Sequence, residues 1–256
     1  MKILITSTYF HPYNSGISVY ALRIARGLVG LGHEVCVLTS QYDPKQASEE
    51  NLDGVKIVRA KVGMKLSKGV LMPGFKTEAK NWVAWADVVN VHIPQFESFV
   101  ISRLVRHFKK PLVVTYHCDL VMSGGWFSRL AGWGTNLLGK HALKQAQVIV
   151  QNTLDYARHS RVLKPFLDKV VEVPTPVVFV ESTGDEKKSF RERFGLAEND
   201  KVLGLAGRVA SEKGYEYLAQ ALPSIWKEYP TARVVHAGSW KGVIGEEVYL
   251  AKVEEM

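Results

Sequence analysis

Apolar residues along the first two-thirds of the chain come in short blocks, and between the blocks they recur at helical spacing. Ile3-Leu4-Ile5 is one block. Ile17, Ala21, Ile24, Leu28 and Leu31 then form a stripe that stops before Gly32. Short apolar blocks bounded by turn residues read as buried parallel strands, and a 3.6-residue stripe reads as a helix that covers them. Gly32 stands where a helix end needs a left-handed residue. Further strands are expected over Glu34–Thr39, Val55–Val58, Asp87–His92, Leu112–Tyr116 and Val148–Val150. Helices are expected over Phe75–Trp85, Glu97–Phe108 and Phe127–Ala146. The middle one starts with an acid and ends with bases, as the helix macrodipole prefers. Strand and helix alternating in this way predict an α/β fold, a parallel sheet with helices on both faces.

The pattern breaks at Val173-Pro174-Thr175-Pro176, and the polar stretch Ser182–Glu186 reads as a linker or domain edge. A second strand–helix pattern follows. It has a strand over Lys201–Ala206, a helix from Lys213 with its stripe at Tyr215, Leu218, Leu222, Ile225, Trp226 and Tyr229, a strand over Arg233–Gly238 and a last helix near Glu246. Two domains are therefore expected, residues 1–178 and 179–256. The second holds only two strands, so it is expected to be the first part of a Rossmann-like domain, with a sheet edge left unpaired.

Composition narrows the class. Hydrophobic content of 46% against 23% charged residues is globular, not disordered. The two cysteines, Cys36 and Cys118, argue against a disulfide scaffold, and neither a Cys-x-x-Cys nor a His-Glu-x-x-His pattern points to zinc. The opening Met-Lys-Ile-Leu-Ile-Thr-Ser run is too short for a signal peptide, and no run approaches about eighteen apolar residues. The expected location is the cytoplasm, with room for a peripheral place at the inner membrane face. Residues 1–180 carry 22 Lys and Arg against 12 Asp and Glu, whereas residues 181–256 carry 11 against 13. The excess is densest from Lys56 to Lys80, where seven bases face one acid, Glu78. Such a field suits an anionic lipid surface or an acidic substrate, or is simply a solvated face. Together with Trp126–Trp133, an amphipathic stretch, it makes an anionic membrane a candidate partner. Nucleic acid is not expected, because exposed aromatics are not interleaved with the bases.

Two loops carry candidate chemistry. Gly207-Arg208-Val209-Ala210-Ser211-Glu212-Lys213-Gly214 follows a strand and opens a helix, so a cation at a strand's carboxyl end and a cation at a helix start face one crevice. Open α/β sheets bind ligands there, and a helix N-terminus favours anions. A diphosphate fits such a pair, although a basic solvated turn would have the same sequence. The spacing is not a Walker loop, and no Gly-x-Gly-x-x-Gly follows a strand. The other loop is His11-Pro12-Tyr13-Asn14-Ser15-Gly16-Ile17, after the first strand.

The order and spacing of these loops, with Val113-Val114-Thr115-Tyr116-His117 between them, resemble glycosyltransferase family 4. The resemblance extends over essentially the whole chain and is most specific at Arg208 to Lys213. It implies a GT-B fold of two Rossmann-like domains and retaining transfer of a sugar from a nucleotide-diphosphate sugar to a glycan or lipid-linked acceptor. It implies no cofactor and no metal. By resemblance, Gly16 lets its backbone N–H approach the donor diphosphate, Arg208 and Lys213 clamp that diphosphate, and His117 meets a sugar hydroxyl. Ser15 and Asp119 are weaker candidates, the latter reading equally as a loop-capping carboxylate. Ser15-Gly16 stands where many members have Gly-Gly, and Thr175-Pro176-Val177-Val178 replaces an Asn-Gly-Val-Asp-like turn. The family's paired glutamates and nucleoside pocket fall later in the fold, and Glu246, Glu247, Glu254 and Glu255 read as a solvated helical face. The isolated chain is therefore expected to be poorly active, its second domain truncated or completed by a partner chain. The alternative is a non-catalytic binding subunit derived from such an enzyme.

Overall fold

The computed structural model describes residues 1–66, 69–120, 126–243 and 246–256, without the side chains of Leu66 and of residues 126–133. The chain divides into two compact units, Met1–Val177 and Val178–Met256, one residue earlier than the boundary read from the sequence.

The first unit opens with β1 (Lys2–Thr6), α1 (Gly16–Gly30) and β2 (Glu34–Gln41). Next come β3 (Glu49–Leu52), β4 (Val55–Lys61) and a short hairpin, β5 (Met64–Leu66) with β6 (Gly69–Leu71). Then follow α2 (Phe75–Trp85), β7 (Val88–Ile93), α3 (Ser98–His107), β8 (Leu112–Tyr116) and α4 (Trp126–Gln145). The unit closes with β9 (Val148–Gln151), α5 (Leu154–His159) and β10 (Val170–Glu172). Eight strands form one sheet in the order β10-β9-β8-β7-β1-β2-β4-β3. Every pairing is parallel except the antiparallel edge β3–β4.

Two-residue periodicity sorts the strand side chains into two cores. Leu4, Cys36, Leu38 and Val58 face one core with residues of α2 and α3, while Ile3, Ile5, Val35, Val37 and Ile57 face the other against Ala21 and Ala25 of α1. The stop at Gly32 is a Schellman motif. Gly32 sits at φ +82°, its N–H reaches the Val29 carbonyl at 2.9 Å, and the His33 N–H reaches Leu28 at 3.1 Å.

In the second unit, α6 (Gly184–Arg193) starts inside the stretch expected to be linker. Thr183 and Glu186 form a capping box that satisfies two end groups reciprocally, which makes helix the better state for a segment with no apolar stripe. β11 (Lys201–Ala206) leads to a 3-10 turn, Ser211–Lys213, then α7 (Tyr215–Glu228), β12 (Ala232–Ala237) and α8 (Glu247–Glu254). The expected helix start at Lys213 is thus displaced. Gly214 takes a left-handed conformation at φ +67°, which breaks the helical path and lets α7 begin at Tyr215. Among the described residues β11 and β12 form a two-stranded parallel sheet. No residue of β11 and only Ala232 of β12 is buried, so two strands bury little.

Candidate functional site

In the first unit, β1 pairs with β2 on one side and β7 on the other, and the chain fans out from that point in opposite directions. Ligands of open α/β sheets bind outside the carboxyl ends of the strands at such a switch point. Here Thr6, the last residue of β1, donates its hydroxyl to Gln95 Oε1 beyond β7 at 3.0 Å, tying the two strand ends together.

α1 begins at this end of the sheet. Ser15 is its N-cap: the Ser18 N–H donates to Ser15 Oγ at 3.2 Å, and the Ser15 N–H donates to Ser18 Oγ at 2.9 Å. The Ser15 hydroxyl is therefore engaged in holding the helix end. A Cβ built on Gly16 would meet nothing within 4 Å, so packing inside the unit does not demand a glycine there. No acidic residue lies in the first turn to neutralise the positive end of the helix dipole.

His117 follows β8 directly, and its N–H extends the ladder to the Ile93 carbonyl at 3.0 Å. Its ring Nε2 lies 3.0 Å from Nδ1 of His92, a fully buried residue of β7. Behind it, His92 Nε2 lies 2.9 Å from Asn90 Oδ1, and Asn90 Nδ2 donates to the Val113 carbonyl at 3.3 Å and to Thr115 Oγ1 at 2.9 Å. Tyr20 of α1 presents its ring edge to both histidines, with centroids 5.1 Å from His117 and 5.8 Å from His92. Tyr20 is one helical turn from Gly16, so α1 packs against His117 one turn beyond its N-terminus. Burial pushes His117 down to about 4, and burial with the neighbouring His117 holds His92 well below the usual imidazole range. Both rings are neutral at physiological pH.

Asp119 is committed elsewhere. Its carboxylate accepts from Tyr116 Oη at 2.7 Å, Ser160 Oγ at 2.5 Å and the Arg161 N–H at 3.1 Å, and its N–H donates to Tyr156 Oη at 2.7 Å. These contacts pin the loop after β8 to α5.

In the second unit, Arg208 and Lys213 are both exposed on the turn between β11 and α7. Arg208 Nη2 donates to Glu212 Oε1 at 2.8 Å, a pair about half-exposed on each side. The turn is held from below. The Gly207 carbonyl accepts from His236 Nε2 at 2.7 Å and from Tyr215 Oη at 3.1 Å. Neither was singled out as chemistry in the sequence, where Tyr215 read as part of an apolar helical stripe and His236 as a strand residue.

The dense basic stretch is less of a free field than the sequence suggests. Lys56 pairs with Glu49 at 3.0 Å and lies over the Trp82 ring. The Arg59 side chain is 1% exposed, bonded to Glu50 at 2.6 Å and to the carbonyls of Ala47 and His11 at 3.0 Å. The edge strand β3 carries both acids opposite β4, a pairing across which a linear charge count does not see. Lys68 and the side chains of Trp126–Trp133 lie outside the described residues. Among the described residues no helix is long and apolar enough to cross a membrane, and no group of three or more His, Cys, Asp or Glu could hold a metal ion.

Residues 15–176 match the family described as glycosyl transferase 4-like domain. The chain belongs to that family. An uncharacterized glycosyltransferase of Methanocaldococcus jannaschii is 25% identical over 264 residues, covering 93% of this chain and 63% of the relative. The alpha-monoglucosyldiacylglycerol synthase of Acholeplasma laidlawii is 23% identical over 256 residues, again covering 93% and 63%. The chain thus spans 63% of the length of these two curated family relatives. Among solved structures, sucrose-phosphate synthase from Thermosynechococcus elongatus superposes with a TM-score of 0.71 at 15% identity, over 99% of this chain and 66% of the other. Anabaena HepE in complex with UDP-glucose superposes with a TM-score of 0.69 at 15% identity, over 100% and 65%. The fold is α/β of the GT-B type.

Proposed function

We propose that this member of the family takes part in retaining transfer of a sugar from a nucleoside-diphosphate sugar to a glycan or lipid-linked acceptor. The observation that carries this reading lies in the first unit, where an unneutralised helix start at Gly16 with open space above it stands one helical turn from Tyr20, whose ring packs on the neutral His117 at the carboxyl end of β8. In this reading the N-terminus of α1 receives a phosphate and His117 the sugar in the first unit, while in the second unit the exposed Arg208 and Lys213 are the cations suited to a diphosphate. Departure of a nucleoside diphosphate builds charge on the bridging oxygen, and fixed cations stabilise that charge more than the ground state. No metal or cofactor is invoked. Ser15 and Asp119 act as supports, by the contacts described above. Two similar proteins lend support: one is an alpha-monoglucosyldiacylglycerol synthase, and one solved neighbour is in complex with UDP-glucose.

The Arg208–Glu212 pair does not stand in the way. An exposed ion pair contributes about 0–1 kcal/mol, whereas a charge-assisted bond to a phosphate contributes about 1.5–3 kcal/mol, so a diphosphate outcompetes Glu212. Titration calorimetry with UDP tests the reading. Arg208→Ala is expected to weaken binding about tenfold or more, and Glu212→Gln to strengthen it a few-fold. Equal affinities for wild type and Arg208→Ala would remove Arg208 from the site.

A further inference from the structure

We infer that Asn90 and His92 form a relay that locks His117 in the tautomer with an unprotonated Nδ1, so that the site offers a lone pair to a hydroxyl donor and turns away carboxylate and phosphate oxygens. The chain of polar contacts leaves one self-consistent arrangement. The Val113 carbonyl can only accept, so the Asn90 group 3.3 Å from it is the amide nitrogen. That fixes Asn90 Oδ1 toward His92 Nε2 at 2.9 Å, and an amide oxygen can only accept. His92 Nε2 therefore carries a proton. His92 is fully buried and neutral, so its Nδ1 is bare. His117 Nε2, 3.0 Å away, must then donate to it. His117 is neutral as well, which leaves its own Nδ1 without a proton.

The tautomer follows from the contacts together with the burial that keeps both rings neutral; its use in recognising a sugar hydroxyl rests on the proposed donor site. Asn90 and His92 touch no ligand in this scheme and are positioning residues. A bare, neutral nitrogen can bond an O–H but has nothing to give an acceptor-only group, which would leave a desolvated lone pair facing an anion.

Long-range proton–nitrogen correlation spectra of the uniformly nitrogen-15-labelled 256-residue chain read the tautomer directly. The expected result is a pyridine-like Nδ1 and a pyrrole-like Nε2 for His117, and a pyrrole-like Nε2 for His92. Saturation with UDP-glucose should move the His117 Nδ1 signal upfield as a hydroxyl bonds to it. Asn90→Leu should erase the fixed tautomer and weaken UDP-glucose binding up to about tenfold, the size of one neutral hydrogen bond, while Asn90→Asp, which keeps the acceptor oxygen, retains the tautomer. A protonated Nδ1 on His117 in the wild type, or a shift averaged between the two forms, overturns the relay whatever the variants do. A bare Nδ1 that UDP-glucose leaves unmoved overturns instead the placing of His117 against the donor sugar.

Discussion

Burial keeps His92 and His117 neutral, and neutrality held by burial leaves a trace in stability against pH. The unfolded chain binds a proton on each histidine near pH 6.5, whereas folded His117 does so only near about 4. Between those values the unfolded state holds more protons, so folding stability falls as pH drops through that window. Glu97 works the other way. Burial raises its carboxyl to about 7, so the folded state takes up a proton first and gains stability as pH falls from there toward the ordinary carboxylate range. The two effects oppose each other, and total stability is a poor probe of either. Urea melts of wild type and the double variant His92→Gln/His117→Gln at pH 7.5 and pH 5 separate them. Wild type should lose more stability than the variant on acidification; equal losses would mean the rings titrate normally. Part of this was legible. His117 stands out as a polar residue ending an apolar strand, but its partners do not. The clue was the two-residue step from Asn90 to His92, which puts both on one face of β7. What the sequence does not show is that β7 and β8 pair side by side, bringing His92 to His117.

At the level of elements, apolar periodicity located the parallel strands other than β10 and most of the covering helices, because burying a face is what stabilises each of them. It failed where something else stabilises the element. β3, Glu-Glu-Asn-Leu, has poor strand propensity and exists as an edge ladder to β4, with its glutamates bonded to Lys56 and Arg59. α6 has no apolar stripe and rests on its caps. The Thr-x-x-Glu spacing at Thr183–Glu186 was the available signal. Removing that cap has a measurable cost: Thr183→Ala should destabilise the second unit by about 1 kcal/mol. Chemical denaturation followed by the exchange of α6 amides is the check, and unchanged protection of those amides would show that packing, not capping, holds the helix.

For the molecule as a whole, charge is distributed differently from its linear count. Lys56 and Arg59 are absorbed into pairs within the first unit, whereas Arg103, Arg106 and Lys109 at the end of α3 are exposed. If the acceptor is lipid-linked, these bases are available to an acidic bilayer at about 1 kcal/mol each near the surface, as are the exposed Lys61, Lys65, Lys76 and Lys80. Sedimentation with vesicles containing phosphatidylserine should show binding at low salt that fades as ionic strength rises, and Arg106→Glu/Lys109→Glu should weaken it tenfold or more. Equal sedimentation with neutral and acidic vesicles would end the proposal.

One contact in the second unit reaches further than its size. A methyl group on Gly238, at φ +148°, would stand 2.1 Å from the Gly207 carbonyl oxygen and 3.2 Å from the Arg208 nitrogen. The end of β12 therefore acts as a gauge block against which the turn carrying Arg208 is seated. Gly238→Ala should push that turn outward and weaken UDP binding to the degree that Arg208→Ala does, although position 238 need never meet a phosphate. The two losses should not add in a double-mutant cycle, since a displaced arginine has nothing further to lose by truncation. Additive losses in calorimetry would mean that the gauge sets something other than Arg208. Where they do not add, the dependence runs one way: position 238 cannot acquire a side chain until the turn at Gly207 has moved, whereas a Cβ on Gly207 would meet only Lys213 Cε, at 3.9 Å.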